Sequence, residues 1–590
     1  MRRRFLPAVP TTATTLTALT VLVGGALLAP AVPRALGAQQ TAGYTVLQAD
    51  GASRTAALTA IQAAGGRVTA ENAAVRAFTV TAPSTGFLTR VAAAPALAGA
   101  VGQQPLGVVP RQRRTAVPER YTVEREHQRT AAGHRPGARA AAPATSPANG
   151  LDPLDDKLWG LTAIHADRAR QRQPGDRRVL VGVIDTGIDG AHPDLAPNFD
   201  AKRSRNFTTD IPTGPDGKEL DGPCEFTGCK DPANWDDGGH GTHVAGTIAA
   251  AANGFGLSGV APGVSLVNLR AGQDSGYFFL GPVVDALTYA GDIGVDVVNM
   301  SFYVDPWYYV CPNNKADSPE ARTAQRATLT AMNRALSYAH GKGVTLLAAY
   351  GNSHEDLGKP RTDLSSPNFP AGSAYPREID NRSCRHLPSE HPDVLNVSAT
   401  GPSGKKSDYS NYGLERATVA APGGYFRDLH GTDRFSRNEN LILSTAPTHV
   451  LRNEGLIAGP AGREEPTETG VKAGITRACP ATGPCAFYQY LQGTSMATPH
   501  ATGVAALIVS QYGGRDPRGR YGRWLPPALT ELRLTASAVA TACPSPRLVS
   551  YEKEGRPAEF DALCEGSKSF NGFYGHGVVD AYRAVTGRLS

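Results

Sequence analysis

Apolar and polar positions along the chain change texture twice. Between residues 43 and 105 they predict a strand at Tyr44 to Gln48 and an apolar-periodic helix at Arg54 to Ala64. Two strands around Arg67 to Val80, a helix at Thr85 to Ala94 and a last strand near Val101 complete a small α+β unit. From Pro105 the sequence turns to Pro, Ala and Arg with few apolar anchors, which predicts a flexible, protease-accessible linker over 106–150. Beyond Leu151, short β-branched runs alternate with helical segments: Val179 to Ile184, Leu266 to Leu269, Val295 to Met300, Val344 to Ala348 and Val394 to Ala399. That rhythm predicts an α/β fold over 151–590, a parallel sheet with helices on both faces. In such sheets chemistry collects at the carboxyl ends of strands.

One further apolar run, about Leu16 to Val32, lacks charge, follows Arg2, Arg3 and Arg4, and is broken by Gly24, Gly25 and Pro30. It reads as a secretory signal over 1–38, with a twin-arginine variant as the alternative export route, and a stable membrane anchor is not expected. Export gives meaning to the eight cysteines, all of which follow residue 150. Four disulfides are expected, with local pairing for Cys224 with Cys229 and Cys479 with Cys485; Cys311 with Cys384 and Cys543 with Cys564 follow from order alone. A zinc site from Cys224, Cys229, His240 and His243 is disfavoured by the two-residue spacing between the histidines.

The formal charge of +6 suggests nucleic acid only until it is divided along the chain. Residues 1–150 carry 16 Arg and five acids, and the remainder is net negative. The larger part has no electrostatic footprint for phosphates, so no nucleic-acid partner is expected.

Three motifs sit where the sheet pattern places chemistry. Asp185 ends the first strand in Val181-Gly-Val-Ile-Asp-Thr-Gly-Ile. His240 opens an Ala-rich helix in Gly-His-Gly-Thr-His-Val-Ala-Gly, and Ser495 opens another in Gly493-Thr-Ser-Met-Ala-Thr-Pro-His500. A hydroxyl at a helix N-terminus lies beside unpaired N–H donors. Carboxylate, imidazole and hydroxyl supply the orienter, general base and nucleophile of an acyl-transfer triad. His243 and His500 are expected to pack. No Gly-x-Ser-x-Gly or His-Glu-x-x-His occurs, which disfavours esterases and metalloproteases built on those motifs.

The segments at 185–189, 240–246 and 493–503 resemble, in this order, the three signatures of the subtilase family, and Tyr574-Gly-His-Gly-Val-Val-Asp580-Ala is similar to its closing segment. The resemblance implies a secreted serine endopeptidase acting on peptide or protein substrates, monomeric and extracellular, with no cofactor required for the chemistry. It implies that 43–105 is a propeptide serving as intramolecular inhibitor and chaperone. Asn352, in Ala348-Ala-Tyr-Gly-Asn, would donate to the oxyanion together with the Ser495 backbone. Ser301, Ala349, Tyr350 and Gly351 would bind substrate.

Departures from the family pattern limit the transfer. Ser301-Phe-Tyr303-Val-Asp305-Pro and Tyr350 add bulk near the expected pocket, so no substrate preference is carried over. Insertions are read between Asp185 and His240, after Ser301, and from Gly424 to Tyr490, with disulfides pinning them. A structural calcium is expected from register, with Asp194, Asn253 and either Asp155 or Asp156 near the Gly-rich turn at 253–259. Two alternatives stay open: a dedicated processing protease with few substrates, and an inactive exported binding scaffold.

Overall fold

Alternation of buried side chains along the strands decides which face of the sheet each residue serves. The computed structural model describes residues 41–102, 123–130, 152–214, 217–359, 361–519 and 522–587, with side chains in the second segment described to 128. The signal-like segment 1–38 and most of the 106–150 stretch lie outside the described residues.

The N-terminal unit contains β1 (Thr41–Gln48), α1 (Arg54–Ala63), β2 (Arg67–Asn72), β3 (Ala77–Pro83), α2 (Phe87–Ala92) and β4 (Leu97–Gly102). Its antiparallel sheet has the order β2-β3-β1-β4. Tyr44, Val46, Phe78 and Val80 pack on Ile61 and Phe87 of the two helices. Alternate residues Leu47, Ala77 and Val101, with Val75, join a different apolar cluster, which belongs to the larger unit. The elements therefore match the order expected from the sequence.

That larger unit is built on β5 (Leu180–Ile184), β6 (Arg205–Asn206), α3 (His240–Ala249), β7 (Ser265–Arg270) and α4 (Leu280–Ile293). It continues through β8 (Val297–Met300), α5 (Pro319–Gly341), β9 (Thr345–Ala349), β10 (Val394–Thr400) and β11 (Val419–Pro422). An antiparallel pair, β12 (Ile442–Ala446) and β13 (Ala486–Leu491), precedes α6 (Thr494–Tyr512). The seven-stranded sheet is parallel throughout, in the order β11-β10-β9-β8-β5-β7-β6. In β5, Val181 and Val183 face the cluster that holds α3 and α6, while Leu180 and Ile184 face the one that holds α4 and α5. Helices thus cover both faces, as expected for an all-parallel sheet.

Strand order reverses at β5, whose neighbours are β7 on one side and β8 on the other. A crevice at the carboxyl ends of strands beside such a reversal is where ligands bind in this class of sheet. The stretch from Gly424 to Tyr490, read as an inserted loop, instead supplies β12 and most of β13. It packs so closely on α3 that a Cβ on Gly246 would lie 2.3 Å from Thr445 Oγ1. All eight cysteines pair as expected: Cys224–Cys229, Cys311–Cys384, Cys479–Cys485 and Cys543–Cys564. That pairing removes the thiolates a zinc site would need.

Candidate active site

Asp185 follows β5 directly, so its carboxylate is carried by a fully buried strand to the sheet's carboxyl edge. His240 begins α3 after Gly239, whose φ of 75° is a left-handed conformation that glycine adopts without strain. The next residue, Gly241, allows the close approach: a Cβ there would lie 2.1 Å from the Gly187 carbonyl and 3.0 Å from Asp185 Cβ. His240 Nδ1 consequently stands 2.7 Å from Asp185 Oδ1, which also accepts the Thr186 N–H at 2.8 Å.

Asp236, not singled out from the sequence, anchors this corner. Its carboxylate accepts from the N–H groups of Gly239 and Thr242 and from the hydroxyls of Thr186 and Thr242. These N–H groups belong to the start of α3, where intrahelical acceptors are lacking. The only sequence signal for it was its place in the Asp-Asp-Gly-Gly run before His240.

Ser495 lies in the first turn of α6, and the helix is buried from Thr494 through Ser510. The Ser495 hydroxyl donates to the Ser301 carbonyl at 3.3 Å, and the Ser301 hydroxyl donates back to the Ser495 carbonyl at 3.0 Å. Asn352 Oδ1 accepts both the N–H and the hydroxyl of Thr494, at 2.9 and 2.8 Å. This fixes the amide plane and turns Nδ2 toward Gly493. Sequence-distant residues thus meet at one edge of the sheet.

A cleft of about 740 Å³ opens from Ser495 and Asn352 and is lined in part by Ser301, Ala349 and Gly351. Tyr303, Tyr308 and His386 form an aromatic wall, with the rings of Tyr308 and His386 4.5 Å apart. Tyr350 does not line it, which corrects the expectation that it adds bulk there. Backbone alternation past β9 turns its side chain behind the cleft, where it is fully buried with Tyr309 and Leu357. His243 and His500 pack as expected: the first bonds to the carbonyls of Ile442 and Gln489, the second to that of Met496.

The N-terminal chain also enters this site. Within the stretch read as a flexible linker, the segment 123–130 lies against the catalytic corner, and its Glu124 is buried. Glu124 Oε1 stands 3.4 Å from His240 Nε2. Gln492, just before the Ser495 loop, donates its N–H to the Glu124 carbonyl and its side-chain amide to the Val123 carbonyl. Glu126 accepts from Arg427 and Arg556 at 2.8 and 2.6 Å, Arg125 donates to Glu454, and buried His127 bonds to the Ala473 carbonyl. Burial alone would push the His240 imidazole down, but Asp185 and Glu124 together raise it to about 10. The only sequence signal for this contact was the charged Glu124-Arg-Glu-His run inside a Pro- and Ala-rich stretch.

The expected calcium residues do not fit a cation. Asp194 Oδ2 accepts the Leu257 N–H at 3.0 Å and the Tyr488 hydroxyl at 2.8 Å, and its other oxygen faces the Asn253 amide nitrogen. The Asn253 side-chain oxygen accepts from Phe255 N–H, and Asp155 is held by Ser258 and Arg170. Asp156 is exposed. A calcium ion needs oxygen lone pairs converging on it, whereas these lone pairs already face N–H and O–H donors.

The subtilase family model matches residues 176–577, which include Asp185, His240, Asn352 and Ser495. This chain is a subtilase. Among curated relatives it is 28% identical over 373 residues to fervidolysin of Fervidobacterium pennivorans, covering 62% of this chain and 39% of that protein. It is 27% identical over 354 residues to subtilisin DY of Bacillus licheniformis, covering 60% and 85% respectively. Among solved structures, the epidermin leader peptide processing serine protease of Staphylococcus aureus aligns with a TM-score of 0.56 at 20% identity, over 93% of this subtilase and all of that chain. Among the described residues, no helix of the subtilase is long and apolar enough to cross a membrane.

Proposed function

We propose that this subtilase is a secreted serine endopeptidase made as a self-inhibited precursor, with residues 151–590 as the catalytic domain and 43–105 as a propeptide. The observation that carries the reading is that the Asp185–His240 pair and the Gly493–Ser495 turn both border Glu124, with Asn352 pre-fixed beside Ser495 at the cleft. Ser495 Oγ attacks the scissile carbonyl carbon while its proton passes to His240 Nε2; Asp185 holds the ring and stabilises the imidazolium. Asn352 Nδ2 and the backbone N–H of Ser495 receive the oxyanion. Collapse breaks the C–N bond as His240 returns the proton to the amine, and water, activated by the same imidazole, then releases the acyl group. No metal or cofactor takes part in these steps.

In the precursor, Glu124 holds the position at His240 Nε2 that the serine proton must reach. A carboxylate there favours the charged ring, so the base is already protonated. The second anchor is remote from the chemistry. Asn72 donates to Asp285 and Thr288 on α4, and Arg334 on α5 donates to the carbonyls of Gln48 and Val75. Four disulfides suit an oxidising, extracellular compartment.

The test is labelling of Ser495 by a fluorophosphonate in the mature enzyme, coupled to cleavage of a peptide library. Absence of both would leave the inactive-scaffold reading standing. A narrow cleavage profile would mark a dedicated processing enzyme.

A further inference from the structure

The carboxylate of Glu126 sits among donors that the acyl-transfer steps do not use. Arg427 Nε donates to Oε1 at 2.8 Å, and Oε2 accepts from Arg556 at 2.6 Å and from the Gln492 side-chain amide at 3.2 Å. Each donor is also held by a partner other than Glu126. Arg427 donates to the Glu554 carbonyl at 2.8 Å. Arg556 pairs with buried Asp408, and its guanidinium lies 4.8 Å from the centre of the Phe560 ring. Gln492 is fully buried, and its side-chain oxygen accepts the Phe426 N–H at 2.8 Å. These holders lie between residues 408 and 560, outside the segment that carries Glu126, so the fold around the cleft aims the three donors itself.

Charge and position both suit a carboxylate. Asp408 opposes Arg556, and Glu554 opposes Lys405 at 2.7 Å. Among the described residues, Glu126 is the only acidic partner of Arg427. Without Glu126, one positive charge at the cleft edge keeps a carbonyl contact and no counter-ion. The Arg427 and Arg556 side chains are only 22% and 17% exposed, so bonds from them to an anion are screened less than at an open surface. The donors also adjoin the chemistry. Gln492 shares a loop with Ser495, its N–H bonds the carbonyl of Glu124, and Glu126 and Arg556 line the cleft that holds Ser495.

We propose that Arg427, Arg556 and Gln492 form a subsite that reads an acidic side chain of the substrate, aspartate or glutamate, near the bond that is cut. The inference rests on the endopeptidase reading above and on departure of the segment 123–130. In the precursor Glu126 fills the subsite; in the mature enzyme a substrate carboxylate takes the same three donors. Planar guanidinium and amide groups match the two oxygens of a carboxylate. Selection also comes from what the wrong residue leaves behind. A neutral side chain strands the Arg427 charge, and a basic one sets a like charge beside it.

The experiment uses mature enzyme and amidated peptides that share one cleavable bond, with a single glutamate moved along the flanking positions and compared at each with glutamine. At one position glutamate should give a kcat/KM about tenfold above glutamine, with lysine below both. Arg427→Gln should bring that ratio close to unity. Lys342→Gln removes a positive charge paired with Asp292, outside the cleft lining, and should leave the ratio unchanged. A free C-terminus is the other source of a carboxylate, so an unamidated peptide with glutamine at every flanking position is included; a preference confined to it would overturn the side-chain reading. Equal kcat/KM for glutamate and glutamine at every position, or a ratio that survives Arg427→Gln, would overturn this inference alone. Cleavage of no peptide would overturn it together with the endopeptidase reading. If the Arg427 variant fails to mature, the wild-type comparison decides.

Discussion

His240 meets a carboxylate on each side of its ring, and the two come from parts of the chain with different roles. Asp185 stands 2.7 Å from Nδ1 at the end of a buried strand, held by register with β7 and β8. Glu124 stands 3.4 Å from Nε2 on a short segment held by the side chains and backbone of a cleft edge. In the proposed mechanism the same functional group therefore orients the base from one side and detains it from the other. Geometry and removability distinguish the roles, since both carboxylates favour the protonated ring.

Substitutions can separate the two sides, and the largest effect belongs to neither carboxylate. Ser495→Ala should abolish peptide hydrolysis and leave the precursor uncut, with both contacts to His240 intact. Gel analysis of a purified refolding reaction checks this, and maturation of the variant would show that an external protease does the cutting. N-terminal sequencing of the wild-type product should place the cut between about residues 105 and 150.

Asp185→Asn should lower kcat by about 10⁴-fold, the cost of holding the wrong tautomer in a triad of this kind. Asn352→Ala should cost roughly 10²- to 10³-fold in kcat with a smaller change in KM, the range known for loss of one oxyanion donor in subtilisin. Steady-state kinetics on the mature enzyme measures both, and a KM effect as large as the kcat effect would remove Asn352 from the oxyanion site.

Glu124→Gln should act in the opposite direction. Fluorophosphonate labelling of freshly refolded precursor should speed up about tenfold, equivalent to ~1.4 kcal/mol of lost detention, with no change in the mature enzyme. Equal labelling rates would assign the block to the remainder of the segment.

The smallest effect is a displacement in pH. The protonated His240 pair with Glu124 is complete below the ordinary histidine value and fades as pH rises through about 10. Removing Glu124 withdraws one of the two raising charges, so mature enzyme should become reactive at lower pH than precursor. Labelling rate against pH for the two forms gives the comparison.

Much of this arrangement was legible in the residues because the informative patterns were local. Runs such as Val181 to Ile184 are buried on both faces of a parallel sheet, and three motifs mark the ends of the elements that carry Asp185, His240 and Ser495. Tyr350 is not placed by the sequence because spacing from Asn352 says where the backbone goes, while the side chain's direction depends on alternation out of β9. Asp194 looks like a cation ligand in sequence because its donors, Leu257 N–H and the Tyr488 hydroxyl, lie 63 and 294 residues away. Glu124 was hidden for a different reason: a short charged run in a Pro- and Ala-rich stretch has no periodicity, and its partners are supplied by the tertiary fold.

Glu126 bears on the mature enzyme that the proposed cut would leave. It accepts from both Arg427 and Arg556, the latter also paired with Asp408, and Glu126 and Arg556 line the cleft. If the proposed maturation removes the segment, both guanidiniums lose that neighbour together, Arg556 keeping Asp408, and the cleft edge becomes more positive. Under that proposal maturation would do more than vacate space: it would recolour the entrance, favouring chains with acidic residues and making their capture sensitive to ionic strength.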